Sequence, residues 1–157
     1  MQLTSAVFQQ GAEIPSYYTS DGEDVSPEIS WKDAPANTKS FVLVVHDPDA
    51  PRPGGYTHWV LYNIPAATGH IEEKVPNQEQ IPGLGTQGKN DSGKIGYVGP
   101  APPSGTHRYF FRLFAIDKML DLAPGATHQQ VSAAIKGHIL AQAELMGTYE
   151  KKSEQAA

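Results

Sequence analysis

Three short runs of β-branched and aromatic residues constrain this chain more than anything else in it. They are residues 40–46 (SFVLVVH), 58–64 (HWVLYNI) and 107–116 (HRYFFRLFAI). Each lacks the polar face of an amphipathic surface helix, and each reads as a strand buried on both faces. The longest unbroken apolar stretch, residues 41–45, is far too short to span a bilayer. The chain between these runs is rich in turn formers. It holds 15 Gly and 13 Pro in 157 residues, near 18% where average usage gives about 12%. Residues 15–35 carry Asp21-Gly22 and Ser26-Pro27 turn signals, and residues 76–105 form a second long Gly, Pro and polar region. A loosely alternating stretch at residues 3–9 is expected to form a short first strand.

One helical signal stands near the C-terminus. Thr127 and Gln130 fit a capping box, and Val131, Ala134, Ile135, His138, Ile139 and Leu145 recur at helical spacing. Gly147 sits where a glycine following a helix belongs, so the helix is expected to run from Thr127 almost to Gly147. Gly137 inside it costs about 1 kcal/mol relative to Ala, so the helix must pack to form. With about 150 residues per domain as a guide, residues 1–157 are expected to be one domain, large enough to fold without disulfide or metal staples. The expected class is mainly β with one or two peripheral helices.

Several functions are disfavoured. Twelve Lys and Arg against 17 Asp and Glu leave a net charge of −5, which opposes binding to nucleic acid or an anionic membrane surface. The first 15 residues have neither a basic segment nor a continuous apolar one, so the expected location is the cytoplasm. The absence of cysteine rules out disulfides, thiolate metal sites and a cysteine nucleophile. Residues 83–88 (GLGTQG) match a dinucleotide fingerprint letter for letter. Pro82 before them and the loop-forming residues 89–93 after them deny the strand and helix that phosphate binding requires. There is no G-x-S-x-G elbow, no phosphate loop with its lysine and no H-E-x-x-H, so no cofactor is expected.

What remains is the placement of polar residues at the strand ends. Asp47 and Asp49 close the first run in Asp47-Pro48-Asp49-Ala50-Pro51, where the prolines stop the strand and stiffen the turn. His58 opens the second run, with Val60 and Tyr62 on its face by period-two alternation, and His107 opens the third, with Tyr109 and Phe111 on its face. If the three strands are neighbours with these ends together, they enclose one cleft. A carboxylate beside two imidazoles is expected to raise the imidazole pKa values and favour an anion. Phosphate, acetate or a phosphoethanolamine head group would suit such a cleft, with Tyr109, Pro102 and Pro103 as an apolar wall. Other readings stay open. The Asp-Pro-Asp segment fits a simple Asx turn, and each histidine fits a structural role. His46, Asp47, Asp49, His58 and His107 are also nitrogen and oxygen metal ligands. Metal ranks last, because no close-spaced ligand motif is present and His46 and Asp47 face opposite sides of one strand.

These residues together resemble a known family. Asp47-Pro48-Asp49-Ala50-Pro51, Thr57-His58-Trp59-Val60-Leu61-Tyr62-Asn63-Ile64-Pro65 and Gly99-Pro100-Ala101-Pro102-Pro103-Ser104-Gly105-Thr106-His107-Arg108-Tyr109 look like the signature of the phosphatidylethanolamine-binding proteins. The likeness is to the bacterial and archaeal branch often called Raf kinase inhibitor-like, and it covers the chain from about Leu3 to Tyr149. Val25-Ser26-Pro27-Glu28-Ile29-Ser30-Trp31 and Lys39-Ser40-Phe41 resemble the family's first block. The resemblance implies a large central antiparallel sheet packed on a smaller sheet, with peripheral helices including one C-terminal helix, and an anion pocket at one end of the sheet. It places Asp47, His58 and His107 in that pocket, Pro51, Pro102, Pro103 and Tyr109 in its walls, and Gly99 and Ala101 in its backbone lining. Tyr56 stands where many members carry Trp. Arg108, of opposite parity to His107, is expected to support the loop. The longer insert that eukaryotic members carry before the last histidine is missing, so their kinase-binding and flowering roles do not carry over. Their C-terminal helix edges the pocket, which makes Tyr149 a position to examine.

The expected function is therefore a non-enzymatic protein that binds a small anion, phosphate or a phosphoethanolamine head group, with possible regulation of a kinase or protease. Two alternatives use the same residues or a neighbouring segment. One is a protease or kinase inhibitor acting through the loop at residues 76–94. The other is a hydrolase using the Asp47, His58 and His107 cleft as acid and base. Apolar strand edges make a homodimer an expected assembly.

Overall fold

In a computed structural model, which describes residues 1–152, the chain forms two antiparallel sheets and one α-helix. The smaller sheet has the order β1 (Gln2–Thr4), β2 (Ile29–Lys32) and β5 (His70–Ile71). The larger runs β6 (Gln80–Ile81), β7 (Gly85–Gln87), β4 (Tyr56–Pro65), β3 (Ser40–Asp47), β8 (Thr106–Ile116) and β9 (Ile139–Glu150). The mainly β class and the pairing of a large sheet with a small one agree with the expectation.

The three apolar runs are the centre of the large sheet, with β3 between β4 and β8. Both faces of β3 are covered, which explains its unbroken hydrophobic run. Phe41, Leu43 and Val45 face the small sheet, where they pack with Trp59, Leu61, Phe111 and Trp31. Val42 and Val44 face the other way, against Val60, Tyr62 and the helix α1 (His128–Ile135) through Val131 and Ile135. The large sheet is thus the middle of three layers. Each fully buried apolar side chain contributes about 1.5–3 kcal/mol of transfer free energy.

The C-terminal region corrects one expectation. The capping box at Thr127 forms as expected, with Thr127 Oγ1 accepting from Gln130 N and Gln130 Oε1 accepting from Thr127 N. The helix nevertheless stops at Ile135, and the chain turns at Gly137, whose φ of 83° suits glycine. Residues from Ile139 onward form β9, paired with β8 from Ile116–Ile139 to Thr106–Glu150. Val131 and Ile135 satisfy one helical face, but Ala143, Leu145 and Tyr149 are buried in strand alternation. Pairing with β8 puts Ala143, Leu145 and Tyr149 on one buried face, which a helix over the same residues would not do, so the element goes to the sheet. The first strand is likewise shorter than residues 3–9.

The segment expected as a long loop after residue 76 is partly ordered. β6 and β7 make a hairpin on the edge of the large sheet, and Gln87 anchors it. Its side-chain amide donates to the carbonyls of Pro76 (2.7 Å) and Gln78 (2.8 Å), and its Oε1 accepts from Trp59 Nε1 (2.7 Å). The glycine-rich run at residues 83–88 therefore lies in a hairpin and is followed by no helix.

Candidate ligand-binding site

β3 runs antiparallel to both of its neighbours, so its exit at Asp47 lies beside the entrances of β4 and β8. This places the Asp and His strand ends together at one end of the large sheet, on the side facing the small sheet. Asp47, His58 and His107 are all buried. Asp47 Oδ2 accepts from His107 Nδ1 at 2.7 Å, while Oδ1 accepts from the backbone N–H of Asp49 at 2.7 Å. One carboxylate therefore closes the Asx turn and orients a ring.

His58 reaches this face by a route that alternation does not predict. Val45 pairs with Trp59 but His46 pairs with Thr57, which leaves His58 as the extra residue of a β-bulge. The bulge turns its ring toward Tyr109 (centroids 5.2 Å apart) and Tyr56 (4.8 Å). Val60 and Tyr62 face the helix instead, so the expectation that they share a face with His58 is corrected. His58 Nδ1 lies 2.7 Å from the Val98 carbonyl, which can only accept, so this nitrogen carries the hydrogen.

The electrostatics of His58 also reverse an expectation. Burial holds its pKa below the ordinary histidine value, and the Val98 carbonyl and the Asp47 carboxylate do not offset it. The same burial, together with Asp47 and Asp49, pushes the Tyr109 phenol far above its ordinary value. Beside the site, Asp49 receives three hydrogen bonds from Arg108, from the backbone N (2.8 Å), Nε (2.9 Å) and Nη2 (2.9 Å). They hold the Asp49 carboxyl at about 2. Arg108 thus braces the loop at residues 47–51, as its parity suggested.

These groups border a cavity of about 410 Å³. Asp47, Pro51, His58, Gly99, Ala101, Pro102, Pro103, His107 and Tyr109, the nine residues singled out in the sequence, all line it. Gly99 is required by close approach. A Cβ there would fall 2.4 Å from both Asp24 Oδ1 and the Tyr18 carbonyl, and its N–H donates to Asp24 Oδ1 at 2.7 Å. Tyr149 is not in the lining. It lies opposite His107 in the ladder, fully buried, and donates to Asp21 Oδ2 at 2.6 Å. Among the described residues no group of three or more His, Asp or Glu side chains is arranged to hold a metal ion.

A model of the family described as Phosphatidylethanolamine-binding protein matches residues 4–150. The chain belongs to the phosphatidylethanolamine-binding protein family. It is 49% identical over 151 residues to a UPF0098 protein of Methanothermobacter thermautotrophicus, covering 96% of this chain and 99% of that one. A UPF0098 protein of Aquifex aeolicus is 48% identical, with 96% and 89% covered. Among crystal structures, the phosphatidylethanolamine-binding protein homolog CT736 of Chlamydia trachomatis is 43% identical with a TM-score of 0.88, covering 96% and 97%. YbcL of E. coli, a member of the same family, is 30% identical with a TM-score of 0.89, covering 96% and 98%.

In this phosphatidylethanolamine-binding protein family member, four further residues line the cavity: Ala50, Arg52, Tyr56 and Val98. Tyr56 carried a signal, since it is an aromatic residue two positions before His58, at the start of β4. Arg52 could have been noticed as the one cation in the proline-rich turn. It packs over the Tyr56 ring at 5.4 Å and lies 3.9 Å from Asp91 Oδ2. Val98 acts through its backbone carbonyl, which no residue type announces. No helix among the described residues is long and apolar enough to cross a membrane.

Proposed function

We propose that the chain binds a small phosphate-type anion in the 410 Å³ cavity and does not turn it over. One observation carries this reading: both cavity histidines are tethered through Nδ1, His58 to a carbonyl and His107 to a carboxylate. Each ring is left with Nε2 for a ligand, and the two tethers make the rings unequal. A positive His107 ring has the Asp47 carboxylate as its counter-charge and can donate to a phosphate oxygen. His58 has only a neutral carbonyl behind it and stays uncharged, so its Nε2 accepts from a ligand O–H. The pair thus suits a monoanionic phosphate or phosphomonoester, while Pro102, Pro103 and Tyr109 offer apolar contact to a short organic arm. The lining supplies no Ser, Thr or Cys nucleophile, so any turnover there would have to run through the two imidazoles, which the variants below test.

Calorimetric titration with inorganic phosphate and with O-phosphoethanolamine tests this. Heat is expected with the wild type and not with His107→Ala. Tighter binding of O-phosphoethanolamine than of phosphate points to a head group. No wild-type heat, or equal heat in the variant, overturns the reading. So does phosphomonoester turnover that disappears in His58→Ala.

A further inference from the structure

A second cavity of about 580 Å³ lies at the same end of the large sheet but on its opposite face, beneath α1. His46 on β3 and His128 on α1 meet there with ring centroids 5.4 Å apart. The Thr57 hydroxyl sits between them, with Oγ1 3.2 Å from His46 Nδ1 and 2.8 Å from His128 Nδ1. One hydroxyl hydrogen can serve only one of these nitrogens, so the other Nδ1 must donate to Oγ1.

The charged groups around this pair come from four further segments. Arg112 on β8 is tied through Nε to Glu144 on β9 at 2.9 Å. Arg52, in the turn after β3, lies 3.9 Å from Asp91, whose Oδ2 also accepts from Thr57 N at 2.7 Å. Each arginine therefore has a carboxylate, while the two imidazoles have none in contact. Asp47, adjacent to His46, points into the other cavity, where it bonds His107 and Asp49. Both rings are held below the ordinary histidine value, mainly by burial. Arg112 adds to this at His46, and His46 adds to it at His128, with Asp91 opposing at both. The lining carries two arginines, Arg52 and Arg112, against one carboxylate, Asp91, so it is net positive before either imidazole takes up a proton.

We propose that this back-face cavity is a second oxyanion site, which takes a tetrahedral anion against His46, His128 and Arg112 and protonates the histidine pair as it fills. Two imidazoles alone make a poor metal site, and no third His, Asp or Glu among the described residues is arranged to complete one. Proton uptake makes affinity fall by about tenfold per pH unit for each proton taken up, once the pH is above the pKa of the free ring.

Sulfate is the probe, because its charge does not change across the range. The test follows the histidine ring signals by NMR in a His107→Gln protein, at about pH 5.5 and about pH 8. Sulfate is expected to shift the His46 and His128 signals together, saturably and far more tightly at the lower pH. Arg112→Gln and, separately, His128→Gln in the same background are expected to remove the response. Their amide spectra report whether the fold is retained, and either variant alone suffices. Unmoved His46 and His128 signals, pH-independent binding, an unchanged response in a folded variant, or zinc binding without sulfate binding overturns the proposal.

Discussion

Asp47 and His107 stand 60 positions apart in the sequence and meet at 2.7 Å, carboxylate Oδ2 to ring Nδ1. The contact fixes which nitrogen of His107 carries the hydrogen, and so which one remains for a ligand. The neutral ring should therefore be the Nδ1–H tautomer, although Nε2–H is the more common form in solution. Long-range nitrogen–proton NMR reads this directly, and Asp47→Ala should return His107 to the common form. Removing the carboxylate also strips the Asp49 N–H of its partner, at an expected cost of about 1–3 kcal/mol.

Stability should fall in mild acid. His46, His58 and His128 are all held below the ordinary histidine value, mainly by burial, so the unfolded chain binds more protons than the folded one in this range. The stabilisation is complete above about pH 6.5, is lost as the pH falls through that value, and levels off below the folded-state pKa values. The urea midpoint should drop between about pH 7 and about pH 5, and His58→Gln should flatten that drop. A flat wild-type profile would falsify the burial effect.

Asp49 titrates at about 2 because Arg108 bonds it. In Arg108→Ala, carbon-detected carboxyl titration should show Asp49 returning toward about 3.9. Thermal stability should change by less than about 1 kcal/mol, since the Arg108 side chain is 51% exposed. An Asp49 that still titrates near 2 would assign the shift to the turn and not to Arg108.

Two glycines should respond differently to alanine. Gly99→Ala drives a methyl group against Asp24 and the Tyr18 carbonyl, and should cost about 1–3 kcal/mol while weakening ligand binding by displacing the cavity lining. Gly137→Ala meets nothing within 4 Å and carries only the strain of its φ of 83°, about 1 kcal/mol, with no effect on binding. Paired melting curves and titrations separate the two, and equal losses of binding would contradict the placement of Gly99.

Much of the site was legible because strand ends are local features. Asp47-Pro48 stops β3, and the proline-rich turn and the Gly99 to Tyr109 block mark where the chain re-enters the sheet. The side of the sheet on which His58 falls was not legible, because a one-residue bulge depends on how β4 pairs with β3. The C-terminal element was misread for a similar reason. Val131, Ile135 and Ile139 have helical spacing, yet Ala143, Leu145 and Tyr149 alternate like a strand, and only pairing with β8 decides between the two.

By itself, the sequence determined the three central strands of the large sheet, the prolines that follow β3, and the polar groups that stand at those strand ends. These follow from backbone dihedral limits and the period-two alternation of side chains, which act between neighbours in the chain. The tertiary structure alone decided that three strand ends share one cavity, that His58 is turned into it, and that burial outweighs the nearby carboxylate at its ring. Strand pairing and desolvation depend on atoms distant in sequence, and no local pattern encodes them.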